Sequence, residues 1–258
     1  MRTRIERPAA VAAPMIRSAR VFLNLLLPPR CPLCGEGEKS ASGVPLCEKC
    51  ISSLRRVEGP RCPTCGRLLP EPSLLEMNPR FRCGECRPGP PLLDAVQTLF
   101  LFQGALREAV HLFKYSGYWK LGRGLIDFRL KELLPALTEV EGVLPVPLHS
   151  SRLRNRGFNQ ATVLARAVSE GLSVPLLLGQ LVRLKGGRPQ VGLHPKERRR
   201  NIRGCFTVLS GEAIRGRHLL IVDDVLTTGA TAQECARTLK NAGAETVRFL
   251  ALAGAFME

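Results

Sequence analysis

Near its C-terminal end the chain reads His218-Leu-Leu-Ile-Val-Asp-Asp-Val-Leu-Thr-Thr-Gly-Ala-Thr231, and this order restricts the fold more than any other stretch. Leu219 to Val222 is a continuous apolar run, as a strand buried on both faces requires. From Ala230 the spacing changes: Ala232, Cys235, Ala236 and Leu239 recur at helical intervals, and Gly243 supplies a C-terminal stop. Asp223, Asp224 and the Thr-rich turn therefore fall between a strand's C-terminal end and a helix start, where open α/β sheets bind ligands. Backbone amides there, with the hydroxyls of Thr227, Thr228 and Thr231 and the small Gly229 and Ala230 allowing close approach, favour a phosphate. The two carboxylates accept hydrogen bonds from a pair of hydroxyls. A phosphorylated sugar satisfies both halves; the plainer alternative is an ordinary loop in which Thr231 only caps the helix. No Gly-x4-Gly-Lys-Ser/Thr loop occurs, and no Gly-x-Gly-x-x-Gly opens a helix after a strand.

The second constraint is the cysteine spacing. Eight of the ten cysteines form four Cys-x2-Cys pairs: Cys31/Cys34, Cys47/Cys50, Cys62/Cys65 and Cys83/Cys86. Each pair is a knuckle presenting two thiolates, and two knuckles close a tetrahedral structural zinc site. Gly35, Gly66 and Gly84 each follow a cysteine, where a knuckle calls for left-handed backbone. The simplest pairing is sequential, with an interleaved cross-brace left open. Residues 31–90 hold few large apolar side chains, so metal has to stand in for a core there. Such a segment reads as separable from the rest of the chain, with Pro88, Pro90 and Pro91 as a linker. Cys205 and Cys235 lie outside the pairs and are expected to be buried packing residues.

From Leu92 strands and helices alternate, implying a mainly parallel sheet with flanking helices. Strands are expected at 96–102, 143–148, 181–184, 205–209, 218–222 and 246–252, and helices at 105–114, 118–134 and 158–170, with 149–157 as a polar loop. Val21 to Leu27 is expected to form a short amphipathic helix, not a signal peptide, because no small-residue cleavage site follows. With no apolar run long enough for a membrane span, a cytoplasmic protein is expected.

The formal charge of +16 is focused. Beyond residue 90, His149 to Gln160 contributes +3 through Arg152, Arg154 and Arg156, and Arg183 to Arg203 contributes +7. The first of these follows a strand and precedes a helix, a place from which arginines and turn amides can hold a pyrophosphate. The second, with Gly186-Gly187 and Pro189, has the make-up of a mobile loop or of a solvated basic face. Arg198, Arg199 and Arg200 are consecutive, so in an extended or helical stretch they cannot all enter one small pocket. Together with Lys196 they suit the backbone of a nucleic acid. Tyr115, Tyr118 and Trp119 suit stacking on a base or burial in the core equally well.

Several stretches together carry a resemblance: CPLC and CPTC, FKYSGYWKLG, VPVPLHSSRLRNRGFNQA, RPQVGLHPKERRRNIRGCF and LLIVDDVLTTGAT. From about Leu25 onward the chain resembles the ComF family, the ComFC/GntX group of competence proteins, in which a zinc-binding segment precedes a type I phosphoribosyltransferase fold. The resemblance implies a loose basic tail over 1–20, a zinc-binding domain over 21–90 and a phosphoribosyltransferase-like domain over 91–258. It implies that Asp223 and Asp224 hold the ribose hydroxyls of phosphoribosyl pyrophosphate (PRPP) and that Thr227 to Thr231 cradle its 5′-phosphate. Arg152, Arg154, Arg156, Asn159 and Gln160 would then face its pyrophosphate. Magnesium would arrive with PRPP, and Lys185 and Arg188 would close over the site as catalytic cations. It further implies a role with single-stranded DNA during transformation, alongside a competence helicase or another DNA-processing partner. Where some purine-salvage relatives place an acidic general base, this chain has Thr227, a neutral hydroxyl that cannot serve as one. The acceptor therefore stays open, as do a salvage transferase and a non-catalytic DNA-binding module with a regulatory PRPP pocket.

Overall fold

The computed structural model describes residues 30–37, 42–62, 64–69, 71, 78, 81–84, 86–87, 91–184 and 202–255. The expected basic tail, the helix at Val21 to Leu27, and Lys185, Arg188, Lys196, Arg198, Arg199 and Arg200 lie outside these residues.

Four strands make one sheet: β1 (Ala95–Leu101), β2 (Gly142–Pro145), β5 (His218–Leu226) and β6 (Thr246–Gly254), in the order β1-β6-β5-β2. Every pairing in it is parallel. Two shorter strands, β3 (Leu181–Arg183) and β4 (Phe206–Val208), pair antiparallel beside it and bracket the basic segment. Helices α2 (Gly104–Tyr115), α3 (Trp119–Leu133) and α5 (Gln160–Leu172) cover one face. Helix α6 (Ala230–Asn241) covers the other through Ala232, Cys235, Ala236 and Leu239, the apolar stripe that the sequence presents. Cys205 and Cys235 are buried in this second layer, as their sequence context leads one to expect.

Two expectations need correction. Residues 149–157 are not a loop: α4 (Ser150–Arg156) forms there, started by His149, whose Nδ1 accepts the Ser151 amide at 3.2 Å, and stopped by Gly157 at φ 79°. With Leu153 as the sole apolar residue of this helix, no periodicity announces it. Strand β5 does not end at Val222 either. It continues to Leu226 because β6 runs on as Ala251, Leu252, Ala253 and Gly254, giving the acidic stretch a hydrogen-bonding partner.

The cysteine-rich segment, with its short helix α1 (Glu48–Ser52), lies against both faces of this sheet. Arg55 and Val57 add backbone bonds to the free edge of β1, Leu101 N–H donating to Arg55 O at 2.8 Å and Val57 N–H to Leu99 O at 3.2 Å. Val44, Leu46 and Leu54 are buried in the same cluster as Leu99, Phe113 and Leu121. Among the described residues no helix is long and apolar enough to cross a membrane.

Candidate phosphoribosyl site and zinc centres

The eight paired cysteines gather as two clusters, Cys31/Cys34/Cys47/Cys50 and Cys62/Cys65/Cys83/Cys86, with each cluster's sulfurs within 4.8 Å of one another. The pairing is thus sequential. Cys34 and Cys47 sulfurs stand 3.5 Å apart, and Cys65 and Cys83 sulfurs 3.6 Å. Zinc–sulfur bonds of about 2.3 Å in a tetrahedron set sulfurs about 3.8 Å apart, so both clusters fit the ion. Protons alone do not settle the second cluster: the Cys65 and Cys86 thiols hold Cys62 far below the usual thiol range, and sharing with Cys62 pushes Cys65 up to about 12. Four thiolates this close need a dication to ionise together. Gly35 and Gly66 take the expected left-handed backbone, at φ 76° and 73°; Gly84 does not.

At the C-terminal end of β5 lies a cavity of about 750 Å³. Its floor is Asp223 and Asp224, carried by the strand, and one wall is Thr227, Thr228, Gly229, Ala230 and Thr231, the turn into α6. Gly229, at φ 72°, turns the chain so that the first amides of α6 lack intrahelical acceptors and stay available to an anion. Helix α4 and the start of α5 add Arg152, Arg156, Asn159 and Gln160. Arg154 does not line the cavity. Asn159 also builds the corner, accepting the Ala161 amide at 3.1 Å and donating to Val146 O at 3.0 Å. Gln160 is buried; its Oε1 accepts from Arg156 at 2.6 Å, while its buried Nε2 has no hydrogen-bond partner among the described residues.

Burial, reinforced by the adjacent Asp224 charge, pushes the Asp223 carboxyl up to about 8. The countercharge comes from a residue that sequence reasoning missed. Lys114 Nζ, from the last turn of α2, sits 2.7 Å from Asp224 Oδ2 with both side chains mostly buried. Arg107, Tyr115 and Arg183 also line the cavity. Arg107 and Lys114 are seven residues apart on α2, a shared helix face visible in the sequence, but only the fold brings that face to the aspartates. Tyr115, Tyr118 and Trp119 are 63%, 47% and 51% exposed, which decides against a core role. The Tyr115 ring lies under the Arg156 guanidinium, 4.8 Å from its centroid, and its hydroxyl accepts from Arg156 at 3.2 Å.

The basic segment is outside the described residues, but its stems are held. Leu184 N–H donates to Cys205 O at 2.8 Å, and Gly204 N–H donates to Glu234 Oε1 at 2.6 Å. Burial raises Glu234, but Arg237 and the Gly204 amide outweigh it and hold the carboxyl below its ordinary range.

Comparison with known proteins matches these parts separately and together. Residues 22–87 match the double zinc ribbon domain and residues 157–255 the phosphoribosyl transferase domain. Competence protein F of Haemophilus influenzae is 31% identical over 179 residues, 67% of this chain and 78% of that one. DNA utilization protein YhgH of Salmonella typhimurium is 30% identical over 208 residues, 79% of this chain and 87% of that one. Competence protein ComFC of Bacillus subtilis is 25% identical over 205 residues, 77% and 79%.

Proposed function

The chain belongs to the ComF family, and from that premise we propose that it binds PRPP with magnesium and acts on or with single-stranded DNA during DNA uptake. One observation carries the ligand reading: paired aspartates, a helix N-terminus and four arginines line a single cavity. Asp223 and Asp224 accept the ribose hydroxyls, the amides and hydroxyls of Thr227 to Thr231 take the 5′-phosphate, and Arg152 and Arg156 take the pyrophosphate, with Gln160 Oε1 holding the Arg156 guanidinium. Magnesium, arriving with PRPP, would supply countercharge to the departing pyrophosphate beside Asp223 and Asp224. Transfer breaks the bond from the ribose C1 to the pyrophosphate oxygen, whose electron pair leaves with pyrophosphate. An acceptor lone pair forms the new bond to C1, and the acceptor's proton passes to water or to the pyrophosphate; cations that stabilise the departing charge lower the barrier. Lys185 and Arg188, between β3 and β4 in the sequence, are proposed to supply such cations.

The DNA half rests on different grounds. Relatives carry names of competence and DNA utilization, and the net +7 of Arg183 to Arg203 exceeds what one pyrophosphate requires. Lys196, Arg198, Arg199 and Arg200 are proposed to contact the phosphate backbone. Calorimetry with PRPP and magnesium, followed by pyrophosphate release against a panel of bases, nucleosides and oligonucleotides, tests the first half. PRPP affinity unchanged in Asp223→Asn/Asp224→Asn rejects the site. For the second half, log K for single-stranded DNA is expected to fall against log salt by about 0.7 per phosphate neutralised. Replacing Arg198, Arg199 and Arg200 by alanine flattens that slope and leaves PRPP affinity within a few fold. If PRPP and DNA binding vanish together, the ligands share one site and DNA becomes the leading acceptor.

A further inference from the structure

The second cysteine cluster touches the phosphate turn. Thr64, inside the Cys62-x2-Cys65 knuckle, is buried, and its carbonyl accepts Gln233 Nε2 at 3.2 Å from the first turn of α6. A Cβ placed on Gly229 would stand 3.9 Å from the Cys65 Cβ. Gly66, which closes the knuckle by donating its N–H to Cys62 O at 2.8 Å, lies against Leu226 at the end of β5. The knuckle is itself moored to the sheet, Arg61 donating to Val57 O at 2.7 Å and Thr98 O at 3.3 Å. Three contacts thus join one zinc knuckle to the stretch Leu226 to Gln233, which carries the turn at Thr227 to Thr231. The first cluster lies with α2, α3 and α5 across the sheet, and among the described residues nothing lies within 4 Å of a Cβ placed on its Gly35.

We propose that the Cys62/Cys65/Cys83/Cys86 site is a metal-dependent positioning element for the phosphate turn. Its occupancy sets the affinity for the 5′-phosphate of a phosphoribosyl ligand, and the first site does not act on the turn directly. The proposal rests on the phosphoribosyl reading for its ligand. Its structural part stands independently: the turn leading into α6 keeps its shape only while the knuckle backs it through Gln233, Gly229 and Leu226. Loss of the metal leaves four thiols that cannot share one geometry, and the knuckle's grip on Gln233 and Gly229 goes with it.

The experiment compares full-length wild type with Gln233→Ala, which severs the bridge and keeps all eight ligands, Cys83→Ser, which removes a ligand, and Gly35→Ala as a first-knuckle control. Zinc content, amide hydrogen exchange over 227–233 and PRPP–magnesium affinity are measured on each. Gln233→Ala is expected to keep two zinc ions while exchange over 227–233 quickens and affinity falls about two- to tenfold, the span of one neutral hydrogen bond. Cys83→Ser is expected to lose one zinc and more affinity, with β5 and β6 still protected; Gly35→Ala leaves exchange at the turn unchanged. Should Cys83→Ser not fold, Gln233→Ala decides. Unchanged exchange at 227–233 in Gln233→Ala overturns the proposal. Quickened exchange in a protein whose wild type ignores PRPP upholds the positioning role and refutes the ligand.

Discussion

The two zinc sites have the same ligands and the same spacing within each knuckle, yet they occupy opposite faces of the sheet and do different work. The first shares a core with the main domain: Val44, Leu46, Cys47, Cys50 and Leu54 pack with Phe100, Phe113, Leu121 and Leu125. Helix α3 admits it through Gly124, where an added Cβ would meet Val44 Cα at 3.1 Å and Gly43 O at 3.2 Å. The second has a small cluster of its own, Cys62, Leu69 and Cys83, and rests on Val96, Leu226 and the start of α6. Identical metal chemistry therefore backs a core shared with the rest of the chain in one place and, on the positioning proposal, the stretch Leu226 to Gln233 in the other. What separates them is only the surface each knuckle meets.

The largest expected effect breaks the comparison on the side of stability. Structural zinc contributes roughly 10–16 kcal/mol to the folding of small zinc modules, while whole domains are stable by about 5–15 kcal/mol. Cys47→Ser, in the shared core, is expected to abolish cooperative folding of the whole chain, with thermal melting followed by near-UV circular dichroism as the readout. Retention of a native-like melt in the main domain would mean that the first ribbon is an appendage.

Next comes the pocket itself. Asp223→Asn/Asp224→Asn removes two charge-assisted contacts of about 1.5–3 kcal/mol each, so PRPP affinity is expected to fall by at least a hundredfold. Asparagine relieves the crowding of two carboxyls but leaves Lys114 without its anionic partner, so the ligand-free variant is expected to melt close to wild type. Calorimetry and thermal melting of the same samples separate binding from stability.

Glycines distinguish the two knuckles more finely. Gly35 and Gly66 have nearly equal φ, so alanine costs each about 1–2 kcal/mol in backbone conformation. At Gly35 none of the described residues lies within 4 Å of the new Cβ, whereas at Gly66 it would stand 2.6 Å from Val96 Cγ1 and 3.2 Å from Leu226 Cδ2. Overpacking adds roughly 1–3 kcal/mol, so Gly66→Ala is expected to be the more destabilising by that margin in urea melts. Equal costs would show that the second knuckle is not seated on the sheet in solution.

Much of this was legible in the sequence where a local rule and the fold agreed. The apolar run at Leu219, the helical spacing after Ala230 and the Cys-x2-Cys pairs each report a short-range geometry, and each element stands where its pattern puts it. What stayed hidden depends on partners distant in the chain. Strand β5 passes through two aspartates because β6 continues beside it, and α4 exists because His149 and Gly157 delimit a stretch without an apolar stripe. Lys114 becomes a site residue only when α2 delivers it to Asp224. The scarcity of large apolar residues over 31–90 suggested a separable domain, but Val44, Leu46 and Leu54 are spent on a core shared with the rest of the chain. Arg154 follows the pattern of its neighbours but points its helix position away from the cavity they line, since one face of α4 accommodates Arg152 and Arg156 together.

The smallest effect sets the pocket against the metal sites by its sign. Burial, then the Asp224 charge, raises Asp223 from its ordinary 3.8 to about 8. A carboxyl raised in this way holds more protons folded than unfolded. Its contribution favours the folded state at low pH and is lost as pH climbs from 3.8 towards 8, by at most about 1.4 kcal/mol per pH unit. The zinc clusters respond in the opposite sense, because protons compete with the ion for thiolate and release it as pH falls. Between pH 6 and 8, where zinc stays bound, the stability of wild type relative to Asp223→Asn is therefore expected to decline with rising pH. PRPP affinity is expected to rise over the same interval, since only the ionised carboxylate accepts hydrogen bonds from both hydroxyls. A stability difference that is flat across this range would mean that Lys114, which already faces Asp224 at 2.7 Å, neutralises the pair more fully than burial opposes it. Lys114→Met would then restore the slope, because it removes the cation and leaves the carboxyls in place.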